Sequence, residues 1–203
     1  MNREYVLASG NRGKLREMTA LLQPLGFVLR PQSDWQVPEV EETASTFVEN
    51  SLIKARHASR ITGLPAIADD SGLVVPSLHG EPGIYSARYA GKSADAEANM
   101  SKLLIELDRQ RGLDRRAYFI CAVVLLQSTD DPAPLVATAC WHGKILFTPQ
   151  GTGGFGYDPI FAVGDSRLSA AELSAGEKQA VSHRGQALTN LIEQLHERDG
   201  RRN

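Results

Sequence analysis

Two consecutive carboxylates, Asp69 and Asp70, directly follow the apolar run Pro65-Ala66-Ile67-Ala68 and precede Ser71-Gly72. Carboxylates this close must offset their repulsion with a proton or a cation. Mg²⁺ suits that task, since it takes one or two carboxylates together with phosphate oxygens and water. Glu41 and Glu42, in a separate polar stretch, could complete such a cluster. The loop Ser9-Gly10-Asn11-Arg12-Gly13-Lys14 joins the apolar run 5–8 to a helical pattern. Its backbone N–H groups, the helix N-terminus and Lys14 together make an anion site. It is not a Walker loop: the G-x-x-x-x-G-K spacing is absent, and Leu15 stands where a Ser or Thr would reach Mg²⁺. Both features also have plainer readings, an Asn11 cap beside a solvated lysine and a turn in which one aspartate caps local amides.

The run GTGGFGYDP, residues 151–159, satisfies G-x-G-x-x-G with Gly151, Gly153 and Gly156. That pattern binds a dinucleotide only where a helix opens at its end. Here Tyr157, Asp158 and Pro159 follow, then a strand-like run over 160–163, so the dinucleotide reading fails. What remains is a supple loop presenting Phe155 and Tyr157 beside Asp158, a set suited to a flat heterocycle. Lys178 and the run Ser182-His183-Arg184-Gly185 sit near the start of the last helical segment, where cations suit a phosphate or a base carbonyl. Arg88, in a Gly/Pro-rich loop over 79–92, could also face an anion. Cations for phosphates, carboxylates for a metal and aromatics for a base together indicate a nucleotide and phosphoryl-transfer chemistry.

The elements that must carry these groups follow from periodicity and breakers. Strands are expected at 5–8, 27–29, 65–68 and 73–75, the last two broken by Asp69-Asp70-Ser71-Gly72. The longest strand-like runs, 118–126 and 135–141, form an expected hairpin, and a further strand is expected at 145–147. Helices are expected after the first loop with Leu15, Met18, Leu22 and Leu25 on one face, and over about 93–109. Another starts at the capping pattern Thr46-x-x-Glu49 with Phe47, Leu52, Ala55 and Ile61 inside, and the last carries Leu188, Leu191, Ile192 and Leu195. With no repeat or linker, the 203 residues read as a single domain, 1–203, of mixed α/β class.

The net charge of −2 gives no general reason to bind nucleic acid or an anionic membrane. Cys121 and Cys140 lie alone in apolar runs and read as buried thiols. His57, His79, His142 and His196 lack partners at metal-ligand spacing and read as structural or solvated, and the charged end 197–203 reads as a solvated tail. The N-terminus is too short and polar for a signal peptide and no run approaches a membrane span, so a cytoplasmic protein is expected.

The blocks SGNRGKLRE, TFVENSLIKARHA, AIADDSGLVV, PGIYSARYAG, GTGGFGYDPIF and VSHRGQAL, in this order, resemble the inosine triphosphate pyrophosphatase family of RdgB type. The resemblance covers nearly the whole chain. It implies an extended mixed β-sheet flanked by helices, two lobes around a nucleotide cleft, a homodimer and Mg²⁺. It implies cleavage of non-standard purine nucleoside triphosphates (ITP, dITP, XTP) between the α- and β-phosphates, which removes them from the nucleotide pool. Ser9, where many members have threonine, Asn11 and Lys14 are then assigned to the triphosphate, with the backbone of Gly10, Arg12 and Gly13. Asp70 becomes metal ligand and general base, Ser71 a substrate contact, and Glu41 the second metal carboxylate, although Glu42 adjoins it. Phe155, Gly156, Tyr157, Asp158, Lys178, His183 and Arg184 surround the base and sugar-phosphate. Water oriented by Asp70 or Asp69 would attack the α-phosphorus while Lys14 holds the leaving pyrophosphate. Donors on His183 or Arg184 would favour a 6-oxo purine over adenine. The competing expectations are a pyrophosphatase for modified pyrimidine triphosphates, a nucleotide sensor without catalysis, and a phosphatase that releases orthophosphate.

Overall fold

The computed structural model describes residues 3–91, 93, 95–109, 112, 114–164 and 168–200. Strand β1 (Arg3–Leu7) leads to a loop in which the Ser9 hydroxyl accepts the Asn11 N–H at 3.2 Å. Asn11 then caps helix α1 (Arg12–Leu22), its side-chain oxygen accepting the N–H groups of Gly13 and Lys14 at 2.8 and 3.2 Å. A 3₁₀ turn holding Pro24 ends that helix, and Gly26, at φ 83°, turns the chain into β2 (Phe27–Pro31), parallel to β1. Helix α2 (Phe47–Thr62) opens at Thr46, whose Oγ1 accepts the Glu49 N–H at 3.2 Å and donates to the Glu49 carboxylate at 2.7 Å. Strand β3 (Ala66–Val74), helix α3 (Ala96–Arg109), strands β4 (Arg116–Leu126), β5 (Leu135–Ile145) and β6 (Phe161–Val163), and helices α4 (Ala175–Val181) and α5 (His183–Arg198) follow. The strands form a six-stranded sheet in the order β2-β1-β3-β4-β5-β6. β1 is parallel to β3, and β5 is antiparallel to β6, so the expected mixed α/β architecture is the one adopted.

Three local expectations are corrected. Asp69-Asp70-Ser71-Gly72 does not break a strand: β3 runs unbroken through it. Residues that favour turns are held extended because both carboxylates find cationic partners in this conformation, a tertiary gain that outweighs local preference. No separate strand forms at 145–147: Ile145 is the last residue of β5, which continues through His142 and Gly143, and the next two residues lie outside it. Gly143 permits this, because a Cβ there would overlap the Ala162 carbonyl on β6. On α2 the expected face holds in part: Ala55 is buried and Leu52 packs against the core, but Ile61 does not join them. Ser51, Ala55, Ala58 and Ser59 are buried while Ile61 is exposed. Small side chains let the helix lie close enough for the Ser51 hydroxyl to donate to the Ala122 carbonyl on β4 at 2.8 Å.

The chain divides into two compact units. One contains the described residues of Met1–Asp70, Cys121–Ala139 and Arg184–Asn203, and the other those of Ser71–Ile120 and Cys140–His183. The first has two apolar cores: Tyr5, Leu7, Met18, Leu22, Ile67 and Leu188 belong to one, and Val6, Ala55, Ala68 and Val124 to the other. The core of the second unit gathers Leu73, Leu103, Phe119, Trp141, Tyr157 and Phe161. Cys121 is buried, and burial together with Asp69 pushes its thiol up to about 12; Cys140 is only half-buried. Among the described residues no helix is long and apolar enough to cross a membrane.

Candidate active site

In the first unit, β1 delivers the loop at 9–14 and β3 delivers Asp69 and Asp70, and the parallel pairing of these strands sets the two side by side. Lys14, in the first turn of α1, places Nζ 3.0 Å from Asp69 Oδ2. The same oxygen accepts Nε of Arg184, at the start of α5, at 3.2 Å. Arg184 also pairs through its guanidinium with Glu17 of α1. Asp69 is wholly buried, which by itself would raise its carboxyl, but Lys14, Arg184 and Lys54 overcome that and hold it well below the ordinary carboxylate range.

Asp70 has different surroundings. Lys54 of α2 sits between two carboxylates, Nζ lying 3.2 Å from Asp70 Oδ1 and 2.8 Å from Glu42 Oε1. Asn50, one turn before Lys54, donates to Asp70 Oδ2 at 3.4 Å, and its Oδ1 accepts the Ala44 N–H at 3.1 Å, tying the loop that carries Glu42 to the strand. Burial raises the Asp70 carboxyl; Lys54 opposes that shift and Glu42 adds to it, with a net rise. Two adjacent carboxylates on one strand are thus pushed in opposite directions by their neighbours.

The expectation that Glu41 lies with Asp70 meets a different placement. Burial alternates along 41–45, leaving Glu41 exposed and turning Glu42 inward. Among the described residues no three acidic, histidine or cysteine side chains form a ready-made metal cage. Asp70 and Glu42 nonetheless suit Mg²⁺ by chemistry: they are hard oxygen donors already arranged around one positive charge, and Mg²⁺ draws its remaining ligands from phosphate and water. The amides of Gly13 and Lys14 are taken by the Asn11 cap, so among the described side chains of the first loop Lys14 carries the positive charge. Gly10 is exposed, with the Glu39 carboxylate nearby. Arg12 opens α1, but its side chain lies outside the described set.

The second unit carries the aromatic residues. The Asp158 carboxylate is buried, and its Oδ2 accepts the Phe155 N–H at 2.7 Å and Lys178 Nζ at 2.6 Å. The Lys178 ammonium lies 4.6 Å from the centre of the Phe155 ring, and Phe155 is 39% exposed. Tyr157, expected to share in stacking, instead lies in the core with its hydroxyl donating to the Ser86 carbonyl at 2.9 Å. An aromatic with a satisfied hydroxyl is more stable buried, so Phe155 is the ring left at the surface of this loop. The His183 ring stacks on Phe119, with centres 4.8 Å apart and planes within 10°. Gly156 has φ 64° and Ser71 is half-buried at the start of this unit. Gly154 allows the Asp158 tuck: it has φ 71°, and a Cβ would overlap the Asp158 carboxylate. Gly154→Ala is expected to lower stability by more than about 1–2 kcal/mol, the cost of left-handed backbone alone. Urea unfolding measures it, and a change below a few tenths would show that the loop adjusts freely.

Sequence reasoning placed Lys14, Asp69, Asp70 and Arg184, which the structure gathers in one unit. It placed Phe155, Asp158, Lys178 and His183, which belong to the other. It missed Lys54, Asn50 and Glu17. Their signal was helical spacing: Asn50 and Lys54 are four apart, and Glu17 follows Lys14 by three, so each pair shares a helix face.

Carboxylates within a strand of a mixed α/β sheet, met by lysines from the flanking helices, form a donor set for metal and phosphate, and define a nucleotide-handling class of protein. The chain matches the Ham1 family over residues 5–194 and belongs to that family. A dITP/XTP pyrophosphatase of Thioalkalivibrio sulfidiphilus is 53% identical over 192 residues, covering 95% of this chain and 98% of the relative. One from Vibrio cholerae is 51% identical, covering 96% and 98%. The solved structure of a HAM1 protein from Coxiella burnetii superposes with a TM-score of 0.90 at 50% identity, covering 96% of this chain and 99% of that one.

Proposed function

We propose that this protein is a Mg²⁺-dependent nucleoside triphosphate pyrophosphatase that converts dITP, XTP and ITP to the monophosphate and pyrophosphate, working as a cytoplasmic homodimer. Its membership of the Ham1 family, together with relatives named dITP/XTP pyrophosphatase, supports the activity. The observation that carries the mechanism is the contrast between neighbouring carboxylates on β3. Asp69 is locked onto Lys14 and Arg184, so it is a poor base and a good anchor. Asp70, with its raised carboxyl, is the better base of the two.

In this reading Lys14 takes the charge of the β- and γ-phosphates, assisted by the Ser9 hydroxyl and the amide of Gly10. Asp70 accepts a proton from a water whose oxygen attacks the α-phosphorus, and the bond from that phosphorus to the bridging oxygen breaks, releasing pyrophosphate. Asp70 and Glu42 are the residues that would hold Mg²⁺, which when bound neutralises charge on the phosphate oxygens. Phe155 stacks the purine, and Lys178 and His183 supply donors to its 6-oxo group. Adenine, with an amine in that place, leaves those donors unmatched.

Product identification with dITP tests this directly. Pyrophosphate and dIMP are expected with Mg²⁺, and none after EDTA, with recovery when Mg²⁺ is restored. Orthophosphate with dIDP, binding without turnover, or preference for modified pyrimidine triphosphates in a side-by-side panel would each replace the proposal with another reading.

A further inference from the structure

Lys14 and Arg184 donate to the same oxygen of Asp69, at 3.0 and 3.2 Å, yet they are unlike in freedom. The Arg184 side chain is only 2% exposed and is gripped at a second nitrogen by Glu17. Lys14 is a flexible stem whose side chain keeps 15% of its surface open to solvent. A buried carboxylate that loses its only counter-charge is strongly destabilised. A lysine serving as the only partner of Asp69 could therefore not leave it cheaply for a ligand. Arginine, planar and preorganised, can remain as standing counter-charge.

We propose that Glu17 is a positioning residue: it holds the Arg184 guanidinium on Asp69, so that Asp69 stays compensated when Lys14 turns from it to the phosphates of the substrate. The four side chains form a closed path, from Lys14 on α1 to Asp69 on β3, to Arg184 on α5, and back to Glu17 on α1. Glu17 lies three residues after Lys14, on the same helix face, so the helix that offers the mobile cation also fixes the stationary one. The inference rests on the reading that Lys14 engages phosphate, which the test checks separately.

Glu17→Gln keeps the size of a side chain that is 30% exposed, so the fold is expected to survive. Removing one charge-assisted hydrogen bond is expected to raise the Kd for tripolyphosphate and the KM for dITP about tenfold, with kcat changed much less. Glu17→Asp is expected to restore part of the loss. The deciding measurement is a double-mutant cycle with Lys14→Gln, read by titration calorimetry with tripolyphosphate. If Glu17 acts through Lys14, its substitution changes little once Lys14 is gone. An equal penalty in both backgrounds, or unaltered binding in Glu17→Gln, overturns the inference. Wild-type binding of tripolyphosphate without pyrophosphate release from dITP would sink the catalytic reading and leave this one standing. Undiminished binding in Lys14→Gln would overturn this inference together with the phosphate role of Lys14, while pyrophosphate release from dITP would still stand.

Discussion

An Asp70→Asn protein is expected to fold normally and to release pyrophosphate from dITP about 10²–10⁴-fold more slowly, the usual contribution of a positioned base. The expectation of normal folding comes from the surroundings of this carboxylate. Burial and Glu42 disfavour its ionised form, so replacing it with a neutral group of the same size removes a charge the fold holds at a cost. Lys54 is not stranded by the change, because Glu42 remains 2.8 Å from its ammonium. Asn50 can still meet the asparagine oxygen. Turnover and melting temperature measured on the same sample decide the matter. A rate within a few-fold of wild type would remove Asp70 from the chemistry.

One residue earlier the balance is reversed. Asp69→Asn is expected to cost about 3–5 kcal/mol of stability, because it leaves the Lys14 and Arg184 charges without the buried anion between them. The pH dependence should carry the same signature. The Asp69 carboxyl is lowered in the folded protein, so its stabilising effect is complete above the unfolded value of about 4 and is lost as pH falls through the folded value. The stability gap between wild type and Asp69→Asn should accordingly be constant near neutrality and narrow in acid. Urea unfolding at pH 7 and at successively lower pH measures both. A gap below about 1 kcal/mol at pH 7 would mean that the two cations find other anions.

The contrast bears on what a sequence can disclose. The adjacent aspartates were visible as a charged pair needing compensation, and the order of strand, loop and helix around Lys14 was visible from apolar periodicity and capping chemistry. Which aspartate would be anchored and which exposed to an acidic neighbour was not. That depends on Lys14, Arg184 and Lys54, which lie 55, 115 and 16 positions from the residues they meet. The turn expected at Asp69-Asp70-Ser71-Gly72 is absent for the same reason: the ion pairs that hold the chain extended are long-range, and local preference does not contain them. Glu41 and Glu42 read alike in the sequence, and only the fold brings Glu42 to Lys54. Tyr157 and Phe155 read alike as aromatics, and distant residues, the core of the second unit and the Ser86 carbonyl, make Tyr157 the buried one. Ile61 looked buried because large apolar residues usually are, whereas α2 uses small ones to come close to β4.

The two compact units are each assembled from separate stretches of chain, and the path passes between them within β3, directly after Asp70. Neither unit therefore corresponds to a contiguous portion of a gene. A fragment encoding one of them would lack strands that only the remainder supplies.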